Sequence, residues 1–220
     1  MKGGSSVGKI IKIFISILGI IIVGIAILVF SFIQSMKPDK EKEEAVKIQA
    51  EDYLEEKFND NFEIFDTLYD NMGNFNFEYA AKVLDKKSHT QFLVYYEDET
   101  KQMVDTYIAD KWADDVEKEI SPYVKEHFGQ STTAYVFYDD KIGRELNIDP
   151  VNPKSYKEYN IAPIVRLTIP RKKSDEDEKR FNDFISFLKS EDKLQQGLLI
   201  VGYVAENGVI LEDGEWSKEF

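Results

Sequence analysis

IFISILGIIIVGIAILVFSFI, residues 13–33, is a run of 21 residues without a charge. At a rise of about 1.5 Å per residue, a helix of that length reaches about 31 Å, the thickness of the hydrocarbon layer of a bilayer. The run has no polar face, which disfavours a core helix of a soluble protein. It is longer than the apolar region of a cleavable signal peptide, about 7–15 residues, and Gln34, Ser35, Met36 and Lys37 make no small-residue cleavage site. An uncleaved single-pass anchor is the expectation.

Working outward, the N-terminal flank carries Lys2, Lys9 and Lys12 and no acid. The other flank mixes Lys37, Lys40, Lys42 and Lys47 with Asp39, Glu41, Glu43 and Glu44. Counting Lys and Arg gives nearly a tie, but a short basic tail resembles a signal-anchor start, and long domains translocate largely regardless of charge. Residues 1–12 are therefore expected as a cytoplasmic tail and 13–33 as the transmembrane helix. Residues 34–44 are expected as a charged stalk and 45–220 as an extracytoplasmic domain.

All 41 acidic residues follow residue 36, while three of the 28 basic residues precede it, so the chain from Lys37 onward carries a net charge of −16. Such a surface disfavours nucleic acid and anionic lipid as partners, since both need clustered Lys and Arg. It suits a basic protein, whose approach it steers. The chain has no cysteine, which removes disulfides, Cys-ligated zinc and thiol chemistry. The domain must be held by its apolar core, for which Phe and Tyr are plentiful.

Period-two and period-3.6 patterns divide the domain. Val46, Ala50, Tyr53, Leu54 and Phe58 form a helical stripe. Strands are expected at Phe62–Tyr69, Phe75–Val83 and Thr90–Glu97, joined by polar turns. A helix follows from about Thr106 to His127, with Asp105 as a candidate N-cap and Gly129 as its stop. Pro122 implies either a kink there or a second short helix. Thr132–Tyr138 reads as a strand, Asp139–Asn160 as a long loop, and Ile164–Ile169 as a strand. Ser174 with Asp177 makes a capping-box pattern ahead of Phe181, Phe184, Ile185 and Leu188. Leu198–Ala205 is strand-like, and Asn207-Gly208 signals a hairpin returning through Val209–Leu211. The expected fold class is α+β: a mainly antiparallel sheet with helices on one face, behind a single N-terminal transmembrane helix.

No motif for catalysis or cofactor binding survives inspection. Gly3–Lys9 matches the start of a phosphate-binding loop, but the next position is Ile10 where Ser or Thr must hold magnesium. His89 and His127 have no second ligand at metal spacing. The pairs Asp114-Asp115, Asp139-Asp140 and Glu212-Asp213 are of a kind that arises by chance in so acidic a chain. No cofactor and no metal site is expected. Loops longer than about 12–15 residues are often functional, which singles out Asp139–Asn160. Asp139, Asp140, Tyr156 and Tyr159 are the candidate protein-binding residues, acids and aromatics of the kind that line interfaces. Trp216 and Phe220 also fall in loop or tail contexts.

AEDYLEEKF at Ala50–Phe58 and DTYIADKWADDVEKEI at Asp105–Ile120 are similar to segments of anchored surface proteins of Bacillus-like Gram-positive bacteria. The layout of anchor plus small acidic domain also resembles membrane-anchored immunity proteins that neutralise LXG toxins of type VII secretion. That resemblance implies an exported, non-enzymatic domain that binds a protein outside the cytoplasm. A structural subunit of a secretion or conjugation machine is the alternative.

Overall fold

The computed structural model describes residues 18, 21–34, 36–58, 61–205, 207–211 and 215–220. The chain divides into two compact units, Met1–Glu43 and Glu44–Phe220. In the first, residues 21–34 are helical and every one of them is exposed. Among the described residues no helix is long and apolar enough to cross a membrane. The anchor expected at 13–33 lies partly outside the described residues, and the tail expected at 1–12, with its Gly3–Lys9 segment, and Glu212-Asp213 lie wholly outside them.

The remaining elements form an α+β body. Helix α1, Lys40–Lys57, buries Val46, Ala50 and Leu54, three positions of the expected stripe. A four-stranded antiparallel meander follows: β1 (Phe62–Tyr69), β2 (Tyr79–Asp85), β3 (Gln91–Glu97) and β4 (Gln102–Asp105). In β1, Ile64 pairs with Val83 and Asp66 with Lys82, so Phe65 is the extra residue of a bulge. The bulge shifts the alternation. Phe62 and Ile64 pack into the main core, whereas Leu68 joins a small cluster with Phe77, Ala80, Tyr95 and Val104.

Two expectations change in this sheet. The second strand begins at Tyr79, not Phe75, because Asp70 organises the preceding segment as a loop. Its carboxylate accepts the N–H groups of Phe75 (2.7 Å) and Met72 (3.1 Å), and Gly73 turns the chain at φ 72. Phe77 is thereby laid over Tyr95, with ring centroids 4.5 Å apart. The four-residue strand β4 is the second change. It sits between the Asp98–Lys101 turn and the next helix, where so short a run leaves no periodic signal.

Helix α2, Tyr107–Phe128, runs through Pro122 as one helix and ends at Gly129, which takes φ 106. Its stripe of Ile108, Trp112, Val116, Ile120 and Val124 is buried. A second four-stranded sheet then forms in the order β5 (Thr133–Phe137), β6 (Ile164–Ile169), β7 (Leu198–Tyr203) and β8 (Trp216–Glu219). A short helix α3 (Ile142–Glu145) lies in the long loop, and α4 (Asp177–Ser190) connects β6 to β7. The fold is α+β and mainly antiparallel as expected, but its strands divide between two sheets, and β6 and β7 are parallel. A helical crossover between neighbouring strands imposes that direction. The strand returning beside β7 is β8; Val209–Leu211 contributes only the bridge from Ile210 to Val204.

One hydrophobic cluster draws on both sheets and on α1, α2 and α4. Asp177, fully buried at the start of α4, fastens the crossover. It takes two hydrogen bonds from Arg171 (2.7 and 2.6 Å), one from the Ser174 N–H (2.9 Å) and one from the Tyr203 hydroxyl (2.8 Å). The Ser174 N–H to Asp177 contact is one half of the capping box expected there; the helix cap itself is Glu176, and the Ser174 hydroxyl accepts the Glu176 N–H (3.4 Å) instead of that of Asp177. Burial opposes ionisation of Asp177, but the donors outweigh it and bring its pKa down to about 2.

Asp177→Asn is expected to cost about 3 kcal/mol, because it removes one charge of a buried pair. A carboxylate with a depressed folded pKa contributes stability above its unfolded value, and that stability drains away as pH falls toward the folded value. Urea unfolding between pH 5 and pH 2 should show a steep loss for the native chain, about 3.8 down to 2, and a flatter profile for the variant.

Candidate functional site

The long loop packs against one end of the first sheet and forms a cleft there of about 260 Å³. The Asp139 carboxylate accepts the Lys141 N–H (2.9 Å) and so starts α3. Gly143 lies so close to α2 that a Cβ there would stand 2.8 Å from the Ile108 side chain. Only glycine allows that approach. Arg144 then reaches across to Glu97 through two hydrogen bonds, 3.0 and 3.2 Å. Glu97 is only 1% exposed and also accepts from Thr100 (2.8 Å), and Lys141 stands 3.7 Å from it. The Arg144 guanidinium, against the cost of desolvation, holds the Glu97 carboxyl below the usual range.

The opposite wall comes from α1 and β4. Tyr53 donates to Asp105 (2.6 Å), and Lys57 donates to both Asp105 (2.6 Å) and the Tyr53 oxygen (2.7 Å). Asp105 also accepts the Tyr107 N–H (3.0 Å), so it stands one residue before the helix cap, which is Thr106. Burial and then the charge of Asp105 push the Tyr53 phenol far up, so it remains a donor. Lys57, Lys141 and Arg144 each face a carboxylate, and Asp140 adds a negative charge at the lip. Asp140 is exposed, yet desolvation, then the charge of Asp139, raises its pKa.

The structure treats the four candidate residues differently. Asp139 and Asp140 are exposed where β5 runs into the loop. Tyr156 is 6% exposed and belongs to the core, and Tyr159 is half-buried with its ring 5.1 Å from Trp112. The two tyrosines thus serve as packing, while Asp139 and Asp140 stay outward among exposed residues of both signs, including Arg144, Lys154 and Lys157. Trp216 is likewise a packing residue, 5.0 Å from Phe181 in the inner face of the second sheet. The residues that shape the cleft, Glu97 and Arg144, were not legible as a pair. They are 47 positions apart, and nothing in either local pattern points to the other.

Other carboxylates are engaged too. Asp114 accepts from Thr90 (2.8 Å), 24 positions away, while Asp115 pairs with Lys111 (2.7 Å) and Asp149 accepts the Val151 N–H (2.9 Å). His89 is exposed in the turn after β2 at φ 62, and His127 is exposed with its ring 4.0 Å from that of Tyr123. Among the described residues no group of three or more His, Cys, Asp and Glu is placed to hold a metal ion. Asp110, in the first turn of α2, is the outlier. Burial raises its pKa to about 7, against a hydrogen bond from Thr106 and with the charges of Asp140, Asp114 and Asp105 adding to the rise.

Comparison with family models, with characterised proteins and with solved structures finds no match to this chain.

Two outcomes follow from this geometry. In the folded chain Asp110 keeps its proton to about pH 7, whereas unfolding returns it to the ordinary value of 3.8. Stability therefore falls as pH rises between those values. Asp110→Asn should be the more stable chain at pH 8 by about 1–2 kcal/mol and should flatten that slope, read by chemical denaturation across pH 4–8. Glu97→Gln should loosen the loop: amide exchange in 139–150 should accelerate about tenfold or more while the second sheet keeps its protection, since a buried charge-assisted contact is worth about 1.5–3 kcal/mol.

Proposed function

We propose that this chain is a membrane-tethered, non-enzymatic protein-binding domain, held at the outer face of the cytoplasmic membrane by residues 13–33. One observation carries the reading. Residues 21–34 are helical, uncharged and exposed on every side, with Leu28 at 71%, and carry only Ser31 and Gln34 as polar side chains. A helix apolar all round buries itself in a hydrophobic medium, and lipid supplies one. The body behind it is acidic and cysteine-free. Tethering raises the local concentration of such a body near the membrane, so modest affinity for a partner suffices. The partner is a protein with a basic surface, and the resemblance to immunity proteins makes a secreted toxin the first class to test. The exposed pair Asp139 and Asp140 belongs to the surface offered.

A subunit of an envelope secretion or conjugation machine is the second reading. The outer face of the second sheet favours it, since Tyr135, Phe137 and Ile164 are exposed there, the kind of apolar face a permanent neighbour covers.

Crosslinking of the full chain in its native membrane, followed by pull-down, separates these readings. A single stoichiometric basic protein is the expected result, and recovery within a large complex would favour the second. Recovery of no stoichiometric protein would overturn both. Protease treatment of intact cells should cleave the body; protection until lysis would reverse the orientation.

A further inference from the structure

Strand β1 forms an edge of the first sheet and pairs with β2 alone among the described residues. The outer side of an edge strand is a ready template for another strand. Between β1 and α1 lies a groove of about 410 Å³. Leu54, Phe58, Phe62 and Ile64 line its apolar floor, and Glu51, Glu55 and Glu63 are its polar lining. Phe62 and Ile64 are half-buried, and the three glutamates are exposed. Glu63 pairs with Lys86 at 3.2 Å, whereas Glu51 and Glu55 have no ion-pair partner among the described residues. Natural edge strands are commonly blunted by Lys or Pro. The sequence of β1, FEIFDTLY, holds neither, and its bulge at Phe65 comes after the groove.

We propose that an extended segment of a basic protein adds to this edge as a further strand. The inference rests on the protein-binding reading above and names its surface and the chemistry of its occupant. Main-chain hydrogen bonds to an added strand supply affinity, and every second side chain faces the same way. One face of the added strand therefore lies in the groove. Its aliphatic stems rest on Phe62 and Ile64, and its ammonium or guanidinium ends meet Glu51 and Glu55. The occupant is a segment in which Lys or Arg alternates with other residues. An acidic segment would set like charges together. A second copy of this chain pairing through β1 would do the same, because β1 itself carries Glu63 and Asp66.

The test uses the full chain in phosphatidylcholine nanodiscs and two short synthetic peptides, one alternating Lys with Val and one alternating Glu with Val. Fluorescence anisotropy reads binding, and amide exchange reads its place. The Lys–Val peptide is expected to bind at least about tenfold more tightly and to slow exchange in 62–69. The double variant Glu51→Gln, Glu55→Gln should weaken it about five- to tenfold, the worth of two exposed ion pairs. The pair Asp175→Asn, Glu178→Gln, exposed carboxylates at the start of α4, should leave binding unchanged. Equal binding of the two peptides, indifference to the glutamine variant, or protection arising elsewhere would each overturn the assignment. Two failures are distinguishable. A native partner whose crosslinks fall outside 51–64 removes the groove and leaves the protein-binding reading standing. Binding at β1 as described, with no native partner recovered, removes that reading and leaves the groove.

Discussion

Burial of one stripe on α2 makes a single body of two separate sheets. Ile108, Trp112, Val116, Ile120 and Val124 enter a cluster that also takes Val83 and Phe92 from the first sheet and Val165, Leu167 and Leu199 from the second. The helix packs against β3 on one side and β5 on the other. Neither sheet is large, and a small sheet needs such a cover to be stable in water. Trp112 stands at the centre, with its ring 5.6 Å from Tyr138 and its indole N–H donating to the Lys154 carbonyl at 2.9 Å. The long loop is thereby bound to the same helix that joins the sheets.

The charge of this chain divides into two populations. Some carboxylates are structural: Asp70 builds the loop before β2, Asp177 fastens the crossover, Glu97 clamps the long loop, and Glu117 accepts the Val136 N–H (2.8 Å) of β5. At Asp70, Glu97 and Asp177 the hydrogen bonds outweigh desolvation and hold the carboxyl below its ordinary pKa, whereas at Glu117 burial still raises it. The others, such as Glu51, Glu55, Asp139 and Asp140, are exposed. They set the field that an approaching partner meets. An acidic composition alone cannot separate the two groups.

Tether and surface act together in the proposed role. A bilayer-held helix confines the acidic body to a thin layer, and steering by its field adds to the encounter rate. Association then depends on directional contacts, and a sheet edge offers the most regular set of them.

Much of the local structure was legible because it repeats over several residues. The strands Phe62–Tyr69 and Ile164–Ile169 and the stripe of α2 carry periods of 2.0 or 3.6, and each formed where its pattern placed it. Phe75–Glu78 alternates equally well, but a single carboxylate, Asp70, outweighed the pattern by offering backbone donors a closer acceptor. The α+β class, the acidic surface and the uncharged stretch at 13–33 follow from composition and period alone, since burial and solvation act on each residue where it stands. The division into two sheets, the parallel β6–β7 pair, the Glu97–Arg144 clamp and the inward turn of Tyr156 were decided by tertiary structure. These depend on which distant surfaces meet, and contact between residues far apart in the chain leaves no trace in the spacing of either one.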